Sequence, residues 1–280
     1  MASDPPLSNS GKGSANRRLS DREVESKQRS KSYVHQPLPV TIPVTALYLG
    51  IAWMLLLPAT VITTRTLCIM LADGVDGSFW FSPAFWHFSL GAVLSIIWFL
   101  FLPRPVQLYV WGHEMTHALF VILSGGKVTA FEVSERGGHV LTDRNNIIIA
   151  LSPYFVPFYS SIVLIIFMIC GLFIDMSQHY LLPWGGSFSV LYALFAFIGI
   201  TWAFHLCFTI WMIGKDQPDL RINGAFFSFV LIVLVNLLVL SGLFIIAAPG
   251  YGPGQFVSLW MDTASDCGSA VWSLIRRAGD

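Results

Sequence analysis

Residues 83–124 read PAFWHFSLGAVLSIIWFLFLPRPVQLYVWGHEMTHALFVILS. Two mainly apolar stretches stand end to end here, parted by Pro103-Arg104-Pro105. Each has the roughly 20 residues that a helix needs to cross hydrocarbon. The second carries His113-Glu114-Met115-Thr116-His117. Residues four apart share one face of a helix, so His113 and His117 can hold one metal ion between them. Glu114 is turned about 100° from His113 around the helix axis. It stands beside the metal position, where a carboxylate can take and return a proton. Ionisable side chains are costly in an apolar helix and are usually functional there. The spacing therefore points to a Zn2+ site with Glu114 as its catalytic base.

Working outward, the chain keeps the same character. Of its 280 residues 55% are hydrophobic and 11% are charged, against about 25% charged in soluble domains. Net charge is zero, which excludes a global basic field for nucleic acid. Six segments have the length and composition of spans: about 42–64, where Pro58 predicts a kink and Arg65 an end, then 83–103, 105–124, 147–174, 186–213 and 222–248. Asn236 in the last of these reads as a hydrogen-bonding link between helices. No internal repeat of the kind that builds many transporters is present. Cys68, Cys170, Cys207 and Cys267 form no Cys-x-x-Cys pair and read as small buried hydrophobes.

Between the third and fourth segments, residues 125–146 are polar. Apolar and polar residues partly alternate on either side of Gly137-Gly138, the pattern of a short β-hairpin. Ser152-Pro153, with Pro157 one turn later, predicts an opened start to the fourth helix. Residues 1–40 form a basic tail with Arg17, Arg18, Arg22, Lys27, Arg29 and Lys31 and no signal-peptide core. The tail reads as disordered, either solvated or lying on anionic headgroups. Residues 250–280 mix Trp260, Trp272, Arg276 and Arg277 with aliphatics, which suits an interfacial amphipathic helix. The basic N-terminal tail and the hairpin's Lys127, Arg136 and Arg144 argue for opposite membrane orientations, so orientation stays open.

Taken in order, Gly112-His113-Glu114-Met115-Thr116-His117-Ala118-Leu119, Gly125-Gly126-Lys127-Val128, Gly137-Gly138 and Ala150-Leu151-Ser152-Pro153 resemble the site-2 protease family of intramembrane zinc metallopeptidases, in its compact branch without a PDZ domain. The resemblance covers about residues 105–225. It implies that the hairpin is membrane-associated and that an Asp from a later segment, usually within Leu-Asp-Gly, is the third zinc ligand. This chain lacks that motif. In its place stands Lys215-Asp216-Gln217-Pro218-Asp219-Leu220. Asp219 follows a proline at a helix start, where a carboxylate is favoured. Asp216 and His205 compete with it, and a site without a third protein ligand stays open. His205 and Asp219 are fourteen residues apart, about 21 Å along an unbroken helix, so both reach one metal only if the chain bends at Gly214 or Pro218.

The expectation is an all-α polytopic, integral multi-pass membrane protein. It has about six transmembrane helices, a metallopeptidase-like domain over 41–249 with its core at 105–225, and a short membrane-associated β-hairpin after the HExxH helix. Its expected site is His113, His117 and Asp219 on one Zn2+ ion with Glu114 as base. Its expected partners are the lipid bilayer and a membrane-protein or peptide substrate, with no nucleic acid. The rival readings are an inactive scaffold of the same fold and an ion or metal transporter.

Overall fold

The computed structural model describes residues 42–73, 79–134, 137–183, 185–215, 217–248 and 251–279. The basic tail, Arg136 and Asp216 lie outside them. Helices dominate. In chain order they are α1 (Ile42–Ile51), α2 (Leu57–Asp73), α3 (Pro83–Phe101), α4 (Val106–Leu123), α5 (Ile147–Phe155), α6 (Phe158–Cys170), α7 (Val190–Ile213), α8 (Pro218–Ile222), α9 (Ala225–Ala247) and α10 (Pro253–Gly279). Two antiparallel strand pairs interrupt them: β1 (Val128–Ser134) with β2 (Gly137–Thr142), and β3 (His179–Leu181) with β4 (Ser187–Ser189).

Four helices are long and apolar enough to cross a membrane: residues 46–72, α3, α7 and α9. The α5–α6 pair makes a fifth if its two limbs, bent by 74°, count as one span. Large apolar side chains face outward, with Met54, Phe101 and Leu172 each 77% exposed. Such surface is stable only against hydrocarbon or a partner. Of the six expected segments, 105–124 is absent from this set. Its helix, α4, spends its inner face on Tyr109, His113, Glu114 and Thr116, all buried.

Local chemistry sets the element ends. Ser82 caps α3 by accepting from Phe85 N–H, with Pro83 in the first turn. Leu102, which precedes Pro103, is extended, as a residue before proline must be. Pro58 lacks an N–H and would crowd the carbonyl of Met54. The chain answers with a π-helical turn over Ala52–Leu56, joining α1 to α2. The helix then runs past Arg65, the expected end, to Asp73. Arg65 is accommodated because α10 crosses beside it, with Asp266 Oδ2 at 3.8 Å and Cys267 Sγ at 3.7 Å. Trp260 Nε1–H of α10 also donates to Thr63 Oγ1 at 3.0 Å. The four cysteines are free, and none is fully buried; Cys68 is exposed. The expectation that they pack as buried hydrophobes is corrected accordingly.

The tightest contact joins α3 and α7. A Cβ on Gly91 would stand 2.1 Å from the Ala196 carbonyl oxygen, and one on Gly199 would stand 2.1 Å from that of Phe88. Each glycine thus receives the other helix's backbone, the small-residue packing that serves where no hydrophobic force acts between helices. Replacing Gly91 by Leu forces the two backbones apart. We expect a loss of about 2 kcal/mol in reversible unfolding in detergent. Gly242→Ala is the control, because its Cβ meets nothing within 4 Å.

Candidate metal centre

α4 opens after Pro105 and closes in a Schellman motif. Gly125 takes φ 72°, its N–H reaches Ile122 O, and Gly126 N–H reaches Val121 O. This turn delivers the chain into β1. The hairpin register pairs Phe131 with Val140 and Glu132 with His139. Gly137 and Gly138 begin β2 and do not form the turn itself. Their role is packing. A Cβ on Gly138 would lie 2.6 Å from Glu114 Cγ and 2.9 Å from Val110 Cγ1. Only glycine lets β2 lie directly on α4 at the buried Glu114. Arg144, beyond the hairpin, donates to Ser124 O at 2.9 Å and ties its base to the end of α4.

The three expected ligands converge. His113 Nε2 is 3.7 Å and His117 Nε2 is 3.5 Å from the same Asp219 oxygen, Oδ2. The three donor atoms all lie within 4.8 Å of one another and can hold a metal ion. Tetrahedral coordination at about 2.1 Å requires donors about 3.4 Å apart, so the set is close to the right size.

Each of the three side chains has a further polar partner. His117 Nδ1 is 2.7 Å from Ile149 O. A carbonyl only accepts, so Nδ1 carries the proton and Nε2 keeps its lone pair for a metal. The Ile149 carbonyl is available because its ordinary helical partner four residues on is Pro153, which has no N–H. Ser152 Oγ donates to the same carbonyl at 3.1 Å. His113 Nδ1 lies 3.3 Å from the Tyr109 hydroxyl one turn back. Tyr109 is itself stacked on Phe208 at 4.8 Å. Tyr154 donates to Asp219 Oδ2 at 3.3 Å.

Asp219 enters on α8. The chain leaves α7 at Gly214, and Pro218 restarts it. Leu220 anchors the short helix against Leu151, Tyr154 and Ile232. Ser228 Oγ fixes its backbone by donating to Leu220 O at 3.1 Å. Burial alone would raise the Asp219 carboxyl, but the two imidazoles facing it outweigh burial and hold it below the usual carboxylate range.

His205, the rival ligand, stays within α7 and is not among the three donors. It shares with His113 a cavity of about 20 Å³, room for about one water. Its Nε2 and Asn236 Oδ1 are buried and make no hydrogen bond of good geometry among the described residues, although His205 lies close to Asn236 and to the Tyr154 backbone. Asn236 does link helices, donating to Tyr154 O at 3.0 Å and to Ile232 O in its own helix. The other described histidines are elsewhere: His139 pairs with Glu132 at 3.7 Å, while His87 and His179 both contact the Tyr192 ring.

Sequence reasoning did not find Tyr109, Tyr154 or the Ile149 carbonyl. Tyr109 stands four residues before His113, a spacing that carries the signal. Pro153 inside a helix announces an unclaimed carbonyl at Ile149.

Pro153→Ala supplies an N–H that competes for Ile149 O. We expect metal affinity to fall about 10-fold, the lower end of the effect of losing an outer hydrogen bond on a metal-ligating His, read by competition with a chromophoric chelator. Comparison of the chain with protein-family models, curated proteins and solved structures returns no match.

Proposed function

We propose that this chain is a membrane-embedded, zinc-dependent endopeptidase that cleaves membrane-associated protein or peptide substrates. The observation that carries the reading is the pairing of a His113–His117–Asp219 donor set with a buried Glu114 that is not one of the donors. Two imidazoles, one carboxylate and an open fourth position are the ligand set of hydrolytic zinc sites. Such a set also suits other divalent metals, and Glu114 is what favours hydrolysis. A site that only stored metal would have no use for it.

His113, His117 and Asp219 would hold the zinc. When bound, it would supply Lewis acidity toward the scissile carbonyl and lower the pKa of water at its open position. Glu114 takes one proton from the attacking water as the new C–O bond forms. It returns that proton to the amide nitrogen as the C–N bond breaks, which balances the hydrolysis. Ile149 O and Tyr109 keep the two imidazoles oriented, and Tyr154 holds Asp219. A helical substrate must unwind before cutting. The β1–β2 pair has strand edges unused within its two-stranded sheet, and an extended segment can add to one of them.

The test is reconstitution with zinc and a panel of single-span substrates. Glu114→Gln should retain zinc and lose about 10²- to 10⁴-fold in cleavage rate, the usual worth of a general base. His113→Ala should lose the metal as well. Full activity in Glu114→Gln removes it as the base. Stoichiometric zinc with no cleavage of any substrate by the wild type favours an inactive scaffold. Proton or metal flux in liposomes favours the transporter reading.

A further inference from the structure

A second cavity, of about 200 Å³, lies between α2, α3, α6, α7 and α9. Leu67, Ile198 and Phe244, all buried, line its interior. Trp80, Leu164 and Ile246 also line it and are exposed, so the cavity opens on the outer surface. Ser89 brings the one hydroxyl to its lining.

Size and lining decide what can fill it. A buried water needs two to four polar partners, and an apolar cavity of about 150 Å³ in another protein stays dry and takes benzene. Water is therefore excluded. A helix with its side chains is about 10–12 Å across, too wide for this space. An empty cavity of this size is strongly unfavourable, since its lining loses its packing partners. Four of the five enclosing helices are those long and apolar enough to cross a membrane. The mouth is thus continuous with the surface that bilayer hydrocarbon covers, and an unbranched chain can enter from it.

We infer that this cavity holds one acyl chain of a bilayer phospholipid. The inference does not depend on the peptidase reading, because the cavity shares no residue with the metal centre.

The full chain, purified in mild detergent, should keep about one phospholipid per protein through delipidation, seen by native mass spectrometry. Dioleoylphosphatidylcholine should raise the Tm of delipidated protein by several degrees. Glycerophosphocholine, the same headgroup without chains, should not. Ala84→Phe and Ser89→Leu fill the cavity from two positions. Both should lose the retained lipid and the lipid-dependent Tm shift while keeping the wild-type helical circular dichroism and a single gel-filtration peak in detergent, which report that they fold. The inference is overturned if the wild type retains no phospholipid or retains only a sterol. It is also overturned if glycerophosphocholine stabilises equally, or if both folded variants keep lipid at the wild-type level.

Discussion

The candidate metal centre turns on one hydrogen bond, from His117 Nδ1–H to the carbonyl of Ile149. In an unbroken helix that carbonyl would belong to the N–H four residues on. Pro153 has none, so the acceptor is released at a point facing α4. The same proline-rich run then ends α5. Pro157 cannot close a helical bond either, and α6 departs at 74°. The break leaves the Tyr154 carbonyl without its helical partner, and Asn236 of α9 takes it. Backbone groups left open in hydrocarbon cost several kcal/mol each. Here two are spent, one orienting a ligand and one joining α9 to the site.

A cluster of two histidines and an aspartate is expensive to bury unless each charge has a partner. α4 supplies the histidines, α5 fixes one of them through its broken backbone, and α8 brings the carboxylate. Leu220 and Tyr154 pack in one small apolar cluster, so the residue that anchors α8 touches the residue that bonds Asp219. The same Tyr154 ring meets the His113 ring edge to face at 5.1 Å, so that cluster supports two of the three donors.

The sequence was most informative where a feature is local. The spacing of His113, Glu114 and His117 sufficed for one helix face, and the alternation around Gly137-Gly138 for a hairpin. Two things were hidden because they depend on contacts far along the chain. In the sequence the glycine pair only marks the middle of a hairpin pattern, yet Gly138 is set by Glu114 pressing on it from α4. Gly91 and Gly199 look like isolated helix glycines until α3 and α7 are brought together. The third ligand lay between these cases. His205 and Asp219 compete in the sequence because either a straight or a bent chain is allowed. The break between Gly214 and Pro218 turns α8 toward the histidines and leaves His205 in α7. Composition located four helices of spanning length and a fifth, bent pair, fewer than the six segments it suggested, and α4 shows its limit. A helix that lines a polar site loses apolar residues on its inner face, and so reads as a weaker span than its neighbours.

A hydrolytic site among apolar helices must solve a backbone problem as well as a metal problem. Peptide groups in helices are already paired, so a helix can neither bind an extended segment nor present its own amides for cutting. Backbone outside regular helical pairing occurs in this fold at the Pro153 interruption of α5 and along the β1–β2 pair. Both lie against α4, the first through His117 and the second through Glu114. The residue that would orient the metal and the residue that would move the proton are therefore each backed by irregular backbone. An all-helical bundle with the same three ligands could bind zinc. It would have no edge on which to stretch a substrate, and for the proposed reaction that edge matters as much as the ligands.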